Sequence, residues 1–111
     1  KPDLERITQG AGLVAPVSLE WEFGNALSAM FKKKAIRWEE CERALAVYHK
    51  IPLRLIQVSL KEALKIAYQH HIYAYDAYML ACAIECRAPL LTLDKSLQNT
   101  ARKCSVKVLE V

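Results

Sequence analysis

Apolar residues along the chain fall into blocks of helical spacing separated by short extended runs. Pro2 and Asp3 suit a helix start, with Leu4 and Ile7 on its apolar face, and Gly10 and Gly12 stop it. Residues 13–15 read as a short extended link ending at Pro16. Ser18 is placed to cap a second helix reaching about Lys34. Its apolar face is Leu19, Phe23, Ala26, Leu27 and Met30, spaced i, i+4, i+7, i+8 and i+11. The Lys32-Lys33-Lys34 run closes it with charges that suit the helix dipole. A third helix over 37–49 carries Trp38, Cys41, Leu45 and Tyr48 on one face. Glu39, Glu40, Glu42 and Arg43 lie on the other.

Pro52 interrupts that pattern, and 53–58 then reads as a short strand. Ser59-Leu60-Lys61-Glu62 is a capping box, in which Ser59 takes the amide of Glu62 while Glu62 reaches back. The helix it opens is expected to bury Leu60, Ala63, Leu64 and Ala67. Another helix covers 75–87. Residues 89–93 form a compact apolar strand of the kind buried in parallel sheets. Asp94 follows, then a helix to about Lys103, and 106–111 closes as an alternating strand. The late order of strand, helix, helix, strand, helix, strand argues for an α/β fold with a largely parallel sheet.

Composition narrows the class only a little. At 111 residues the chain is one domain's worth. Hydrophobic residues at 53% and charged residues at 25% argue against disorder. A net charge of +4 is compatible with a nucleic-acid partner. No apolar run is long enough for a membrane span or a secretory leader. Cys41, Cys82, Cys86 and Cys104 form neither C-x-x-C nor a zinc-ligand spacing. Free thiols read as small apolar core residues, which suits a reducing cytoplasm.

Three carboxylates stand where apolar residues are expected. Glu22 lies i+3 from Leu19 and i−4 from Ala26, flanking the buried stripe of its helix. Asp76 lies i−4 from Leu80 and i−8 from Ile84, on the apolar stripe of its own helix. Asp94 directly follows the apolar strand, at the carboxyl end where ligands gather in open α/β sheets. Each has a plain structural role open to it. Asp94 suits a helix cap, Asp76 a first helical turn, and Glu22 a bend outward to water. Taken together they can converge on one spot. Clustered, part-buried carboxylates need protons, basic partners or a cation. A hard divalent ion, Mg²⁺ or Mn²⁺, is the natural oxygen-liganded solution.

At these residues the chain resembles the PIN-domain ribonucleases, particularly the VapC-type toxins. Pro16, five residues, then Glu22-Phe23-x-Asn25-Ala26-Leu27 resembles their first-helix segment. Tyr75-Asp76-Ala77 with Leu80-Ala81 resembles their YDA segment, and Leu90-Leu91-Thr92-Leu93-Asp94-x2-Leu97 their LLT-x-D segment. The resemblance implies a three-layer α/β/α sandwich around a central, mostly parallel sheet. It implies about four acidic residues that hold Mg²⁺ or Mn²⁺ for cleavage of RNA. Glu22, Asp76 and Asp94 match three of them, as both metal ligands and catalytic residues. It also implies a homodimer and a protein antitoxin, with the helices over 18–34 and 37–49 as candidate surfaces. Such chains normally begin with a central strand carrying an Asp. This one opens at Lys1 without Met, so that strand and the fourth carboxylate are expected outside it.

Lys95, beside Asp94, and Arg37 are candidate RNA contacts, since basic side chains position a phosphate backbone without reading sequence. Thr92 is a candidate support for Asp94. Tyr68, Tyr73, Tyr75 and Tyr78 could stack bases, but core and interface packing suits most of them better. The competing expectation is a catalytically inactive PIN-like module that binds protein or RNA.

Overall fold

Residues 12–109 of the computed structural model are described here, so the helix expected over 2–10 lies outside them. The segment expected as an extended link is a strand, β1 (Leu13–Pro16). It pairs in parallel with β2 (Leu53–Ile56), in register from Leu13 opposite Leu53 to Pro16 opposite Ile56. Parallel neighbours need a long crossover, and two helices supply it: α1 (Ser18–Lys32) and α2 (Trp38–Lys50). Aromatic contacts join these helices. Phe23 meets Tyr48 at 5.0 Å between ring centroids, and Phe31 meets Trp38 at 6.2 Å.

Ser18 is not the cap expected of it. The Val17 N–H donates to the Ile56 carbonyl at 3.0 Å, which carries the sheet pairing one residue past β1. Val17 takes the N-cap position in helical geometry, and Ser18 becomes a buried first helical residue whose Oγ has no hydrogen-bond partner among the described residues. The face expected on α1 is only partly used. Leu27 is buried and Leu19 and Phe23 are half-buried, but Ala26 and Met30 are exposed. In α2 the expected face holds at Cys41, which is buried, while Trp38 stands exposed at the helix start.

Ser59 starts α3 (Leu60–His70), its Oγ accepting the Glu62 N–H at 3.2 Å, which is the Ser59 half of the expected capping box. α4 (Ala74–Cys86) follows and packs against it. The contact is built from small residues. Ala63 and Ala77 are fully buried and Ala81 nearly so, with Ile66, Ala67 and Ile72 around them. Alanines let the two backbones approach, and this fixes which way α3 faces. Ala63, Ile66 and Ala67 turn inward, so Leu60 and Leu64, about 100° round the helix, turn outward. Both were expected in the core, yet Leu60 is 59% exposed and Leu64 47%.

A second cluster lies at the other side of α4. Leu80, Ala83, Leu90, Leu97, Ala101 and Val106 are buried together, bringing in α5 (Lys95–Lys103). α4 is therefore lined with buried residues on two sides, including Cys82. Burial, the Cys86 thiol and Glu85 push the Cys82 thiol up to about 11, as befits an inert core cysteine. The strands expected over 89–93 and 106–111 shorten to one parallel bridge, Leu90 with Val108; 110–111 lie outside the described residues. Leu90 donates to the Lys107 carbonyl at 2.7 Å and accepts from the Leu109 N–H at 2.9 Å. Beyond Leu90 the backbone is diverted, because the Thr92 carbonyl accepts from the Gln98 side chain at 2.7 Å. The architecture is mixed α/β with a parallel sheet, as the sequence implies.

Candidate active site

The three carboxylates come from three helix starts. Glu22 sits in the second turn of α1, Asp76 in the first turn of α4, and Asp94 is the N-cap of α5. Each is placed by the element before it. β1 feeds directly into α1, Tyr73 caps α4 in extended geometry, and the Leu90 bridge aims the chain into Asp94.

Electrostatics link them in a chain. Burial raises the Glu22 carboxyl above its ordinary value, and the Asp76 charge raises it further. Burial likewise raises Asp76, and there the second cause is Asp94. Asp76 is thus the middle member, within reach of both others. Glu22 Oε2 is sealed from solvent and has no hydrogen-bond partner among the described residues. A buried acceptor without a donor is costly, so this oxygen marks a place where a cation, a proton or a donor belongs. Among the described residues, however, no three His, Cys, Asp or Glu side chains close around a single metal position.

Asp94 is more exposed and better satisfied. Its Oδ1 accepts the Leu97 N–H at 3.2 Å, the helix-capping role open to it from the sequence. Its own N–H donates to Thr92 Oγ1, also at 3.2 Å. Thr92 therefore acts on Asp94 through the backbone, fixing the turn that presents the carboxylate. Gln98 completes that turn by holding the Thr92 carbonyl. The sequence reading missed Gln98, although its spacing four residues after an N-cap Asp was the available signal.

Glu22 also lines a recess of about 510 Å³ that runs from Leu13, Val14 and Ala15 of β1 to Met79 and Leu91. Apart from the Glu22 carboxylate its walls are mainly apolar. Lys95 is exposed at the first position of α5, next to Asp94. Arg37 is exposed at the N-cap of α2, where its Nε lies 3.7 Å from Glu40 Oε1. Its backbone N–H also donates to that oxygen at 3.0 Å. An exposed pair of this kind holds the guanidinium weakly and leaves it able to meet a phosphate. Of the four tyrosines considered for base stacking, Tyr68 and Tyr73 are largely exposed, Tyr75 less so, and Tyr78 is half-buried with its ring 5.9 Å from that of Tyr75. Core packing therefore accounts for Tyr78 but not for Tyr68 or Tyr73.

No curated protein matches this chain. The family model for the PIN domain does, over residues 2–103, a span that contains all three carboxylates and the turn that carries Asp94. On that match the chain belongs to the PIN domain family.

Proposed function

We propose that the chain is a metal-dependent endoribonuclease that hydrolyses phosphodiester bonds of RNA, acting as the toxin of a toxin–antitoxin pair of VapC type. PIN domains are typically metal-dependent nucleases, and the reading here is the specific form of that activity. The observation that carries it is the Glu22–Asp76–Asp94 series: burial and the Asp76 charge raise the Glu22 carboxyl, burial and the Asp94 charge raise that of Asp76, and Glu22 Oε2 has no donor among the described residues. Oxygen donors that repel each other suit a hard divalent ion.

In this reading Glu22, Asp76 and Asp94 would hold Mg²⁺ or Mn²⁺. When bound, such an ion supplies Lewis acidity toward a phosphate and makes water a better nucleophile at neutral pH. The chain's own residues do the rest. Thr92 and Gln98 keep the Asp94 carboxylate at the mouth of the site. Lys95 meets the RNA backbone beside it, and Arg37 is a further phosphate contact. The series has three members where the resemblance implies about four. A homodimer, a protein antitoxin and a cytoplasmic location complete the proposal; no helix among the described residues is long and apolar enough to cross a membrane.

One observation favours a second reading, a PIN-like module that binds RNA or protein without cutting. Asp94 already serves as a helix cap, and the carboxylates do not close around a metal position. A cleavage assay separates the two. Full-length protein is incubated with labelled single-stranded RNA in Mg²⁺, in Mn²⁺ and in a chelator, beside Asp76→Asn and Asp94→Asn. The nuclease reading expects cleavage in either metal, none in chelator, and a loss of about 100-fold or more in each variant, the scale of removing one strong electrostatic contribution. Binding of the RNA with no cleavage under any of these conditions supports the second reading. Cleavage unchanged in both variants overturns the site assignment.

A further inference from the structure

Charge is spread unevenly along the chain. Between Glu85 and Glu110 stand five basic residues and one acid, Asp94, so this stretch carries as much net charge as the +4 of the whole chain. α5 lies inside it and, among the described helices, is the one with no acidic residue of its own. Its buried face is Leu97, Thr100 and Ala101. On the opposite face Lys95, Asn99 and Arg102, spaced i, i+4 and i+7, form one exposed stripe with Lys103 at its edge. Arg102 Nη1 donates to Asn99 Oδ1 at 3.5 Å, which joins the middle of the stripe to its end.

Helix stability explains only part of this arrangement. Arg102 and Lys103 stand in the last turn, where the helix dipole favours a cation. Lys95 stands at the first position, where the same dipole disfavours one, so its charge answers something outside the helix. Beside it is Asp94, the exposed end of the carboxylate series. The stripe therefore begins at the mouth of the candidate active site and runs about 10 Å along the axis to Arg102. Basic charge continues past the helix end. Arg87 and Lys107 line a cleft of about 390 Å³ that takes in Cys104, the C-cap of α5, and has no acid in its walls. The competing basic run, Lys32–Lys34, closes α1 where the dipole favours it and leads into Glu39, Glu40 and Glu42.

We propose that the outward stripe of α5 is a track for single-stranded RNA, leading the strand away from Asp94 toward Arg87 and Lys107. A single row of cations matches one strand. Lys95, Arg102 and Lys103 meet its phosphates, and Asn99, whose Oδ1 accepts from Arg102, offers its amide N–H groups to the same backbone. Contacts of this kind fix the path of the strand and read no sequence. RNA as the occupant rests on the nuclease reading, but binding along α5 needs neither metal nor cleavage.

The test titrates full-length protein into a labelled single-stranded RNA of about 16 nucleotides, long enough to span a site of this kind. Chelator is present, and fluorescence anisotropy is read over a range of salt. Losing two phosphate contacts lowers the slope of log affinity against log salt by about 1.4 and weakens binding about tenfold at low salt. The proposal expects this of Arg102→Gln/Lys103→Gln. It expects the same of Lys103→Gln/Lys107→Gln, which leaves the Arg102 side chain in place. Lys32→Gln/Lys33→Gln removes equal charge at the end of α1 and is expected to keep the wild-type slope. In metal, the two α5 variants raise KM and leave kcat near wild type, as loss of uniform binding does. Equal losses in all three variants reduce the effect to net charge and overturn the proposal. So do wild-type affinity in both α5 variants and absence of RNA binding in the wild type. Binding that depends on α5 without metal-dependent cleavage sinks the nuclease reading and keeps the track. Cleavage with affinity and KM unaltered in the α5 variants does the reverse.

Discussion

Leu80 and Asp76 stand one helical turn apart on α4, in opposite surroundings. Leu80 is fully buried among Ala83, Leu90, Leu97, Ala101 and Val106. Asp76 is half-buried, and both Glu22 and Asp94 lie close enough for their charges to be felt. The first surroundings favour folding through burial of apolar area. The second oppose it, because desolvation and like charge both disfavour the ionised carboxyls. One rigid helix joins the two, so the apolar cluster holds in place an acidic arrangement that would otherwise spread apart. Strain or cost concentrated at one site in a consistent fold is expected where function is located.

The sharpest way to break the comparison is at its stable end. Leu80→Ala should destabilise the protein by about 2–5 kcal/mol in chemical denaturation, the range for emptying a buried leucine site. A loss below about 1 kcal/mol would mean that this cluster does not anchor α4. Next comes the close approach of α3 and α4. Ala77→Leu adds bulk where Ala77 is fully buried against Ala63 and should cost about 1–3 kcal/mol by the same measurement.

At the acidic end the sign reverses. Without added metal, Glu22→Gln and Asp76→Asn should each raise the melting temperature at neutral pH by a few degrees, with partial exposure holding the effect down. pH sharpens this. Both carboxyls bind protons more tightly folded than unfolded. Their ionisation therefore withdraws stability as pH climbs from the ordinary carboxyl range through the raised folded values. The advantage of the Glu22→Gln/Asp76→Asn double variant over wild type should be greatest at neutral pH. It should vanish in acid below the ordinary carboxyl range; an advantage constant across pH would assign it to packing instead. An effect of comparable size is expected at the turn. Thr92→Val removes the acceptor of the Asp94 N–H and should cost about 0.5–1.5 kcal/mol, the net worth of one hydrogen bond.

Much of this was legible in the sequence where the signal is local. The Ser59/Glu62 capping pattern and the Asp94 cap depend on neighbours three residues away, and both caps form in the structure. Asp76 stood out as an acid on an apolar stripe, Glu22 as one flanking a stripe, and Asp94 as one at the end of an apolar run. What the sequence hid depends on partners distant along the chain. Leu60 and Leu64 satisfy a helical period as well as Ala63 and Ala67 do, and only the close α3–α4 contact decides which pair turns inward. Ser18 has the residue type of a cap, but pairing between Val17 and Ile56 takes the cap position from it. Residues 91–93 have strand composition, yet the Thr92 carbonyl accepts from the Gln98 side chain and the Asp94 N–H donates to Thr92 Oγ1, so neither group extends the bridge. Residues 13–15 looked like a link because four residues carry little period-2 signal, and β2 makes them a strand.

The central claim is that mutual repulsion among Glu22, Asp76 and Asp94 is relieved by a divalent cation. Thermal unfolding of the full-length protein at neutral pH, titrated with Mn²⁺, tests it without requiring activity. The account predicts a melting temperature that climbs with Mn²⁺ for wild type and saturates, as for any ligand that binds only the folded state. In Asp76→Asn, which removes the middle charge, it predicts a higher starting value and little further climb. Equal climbs in both proteins, or none in wild type, would contradict it.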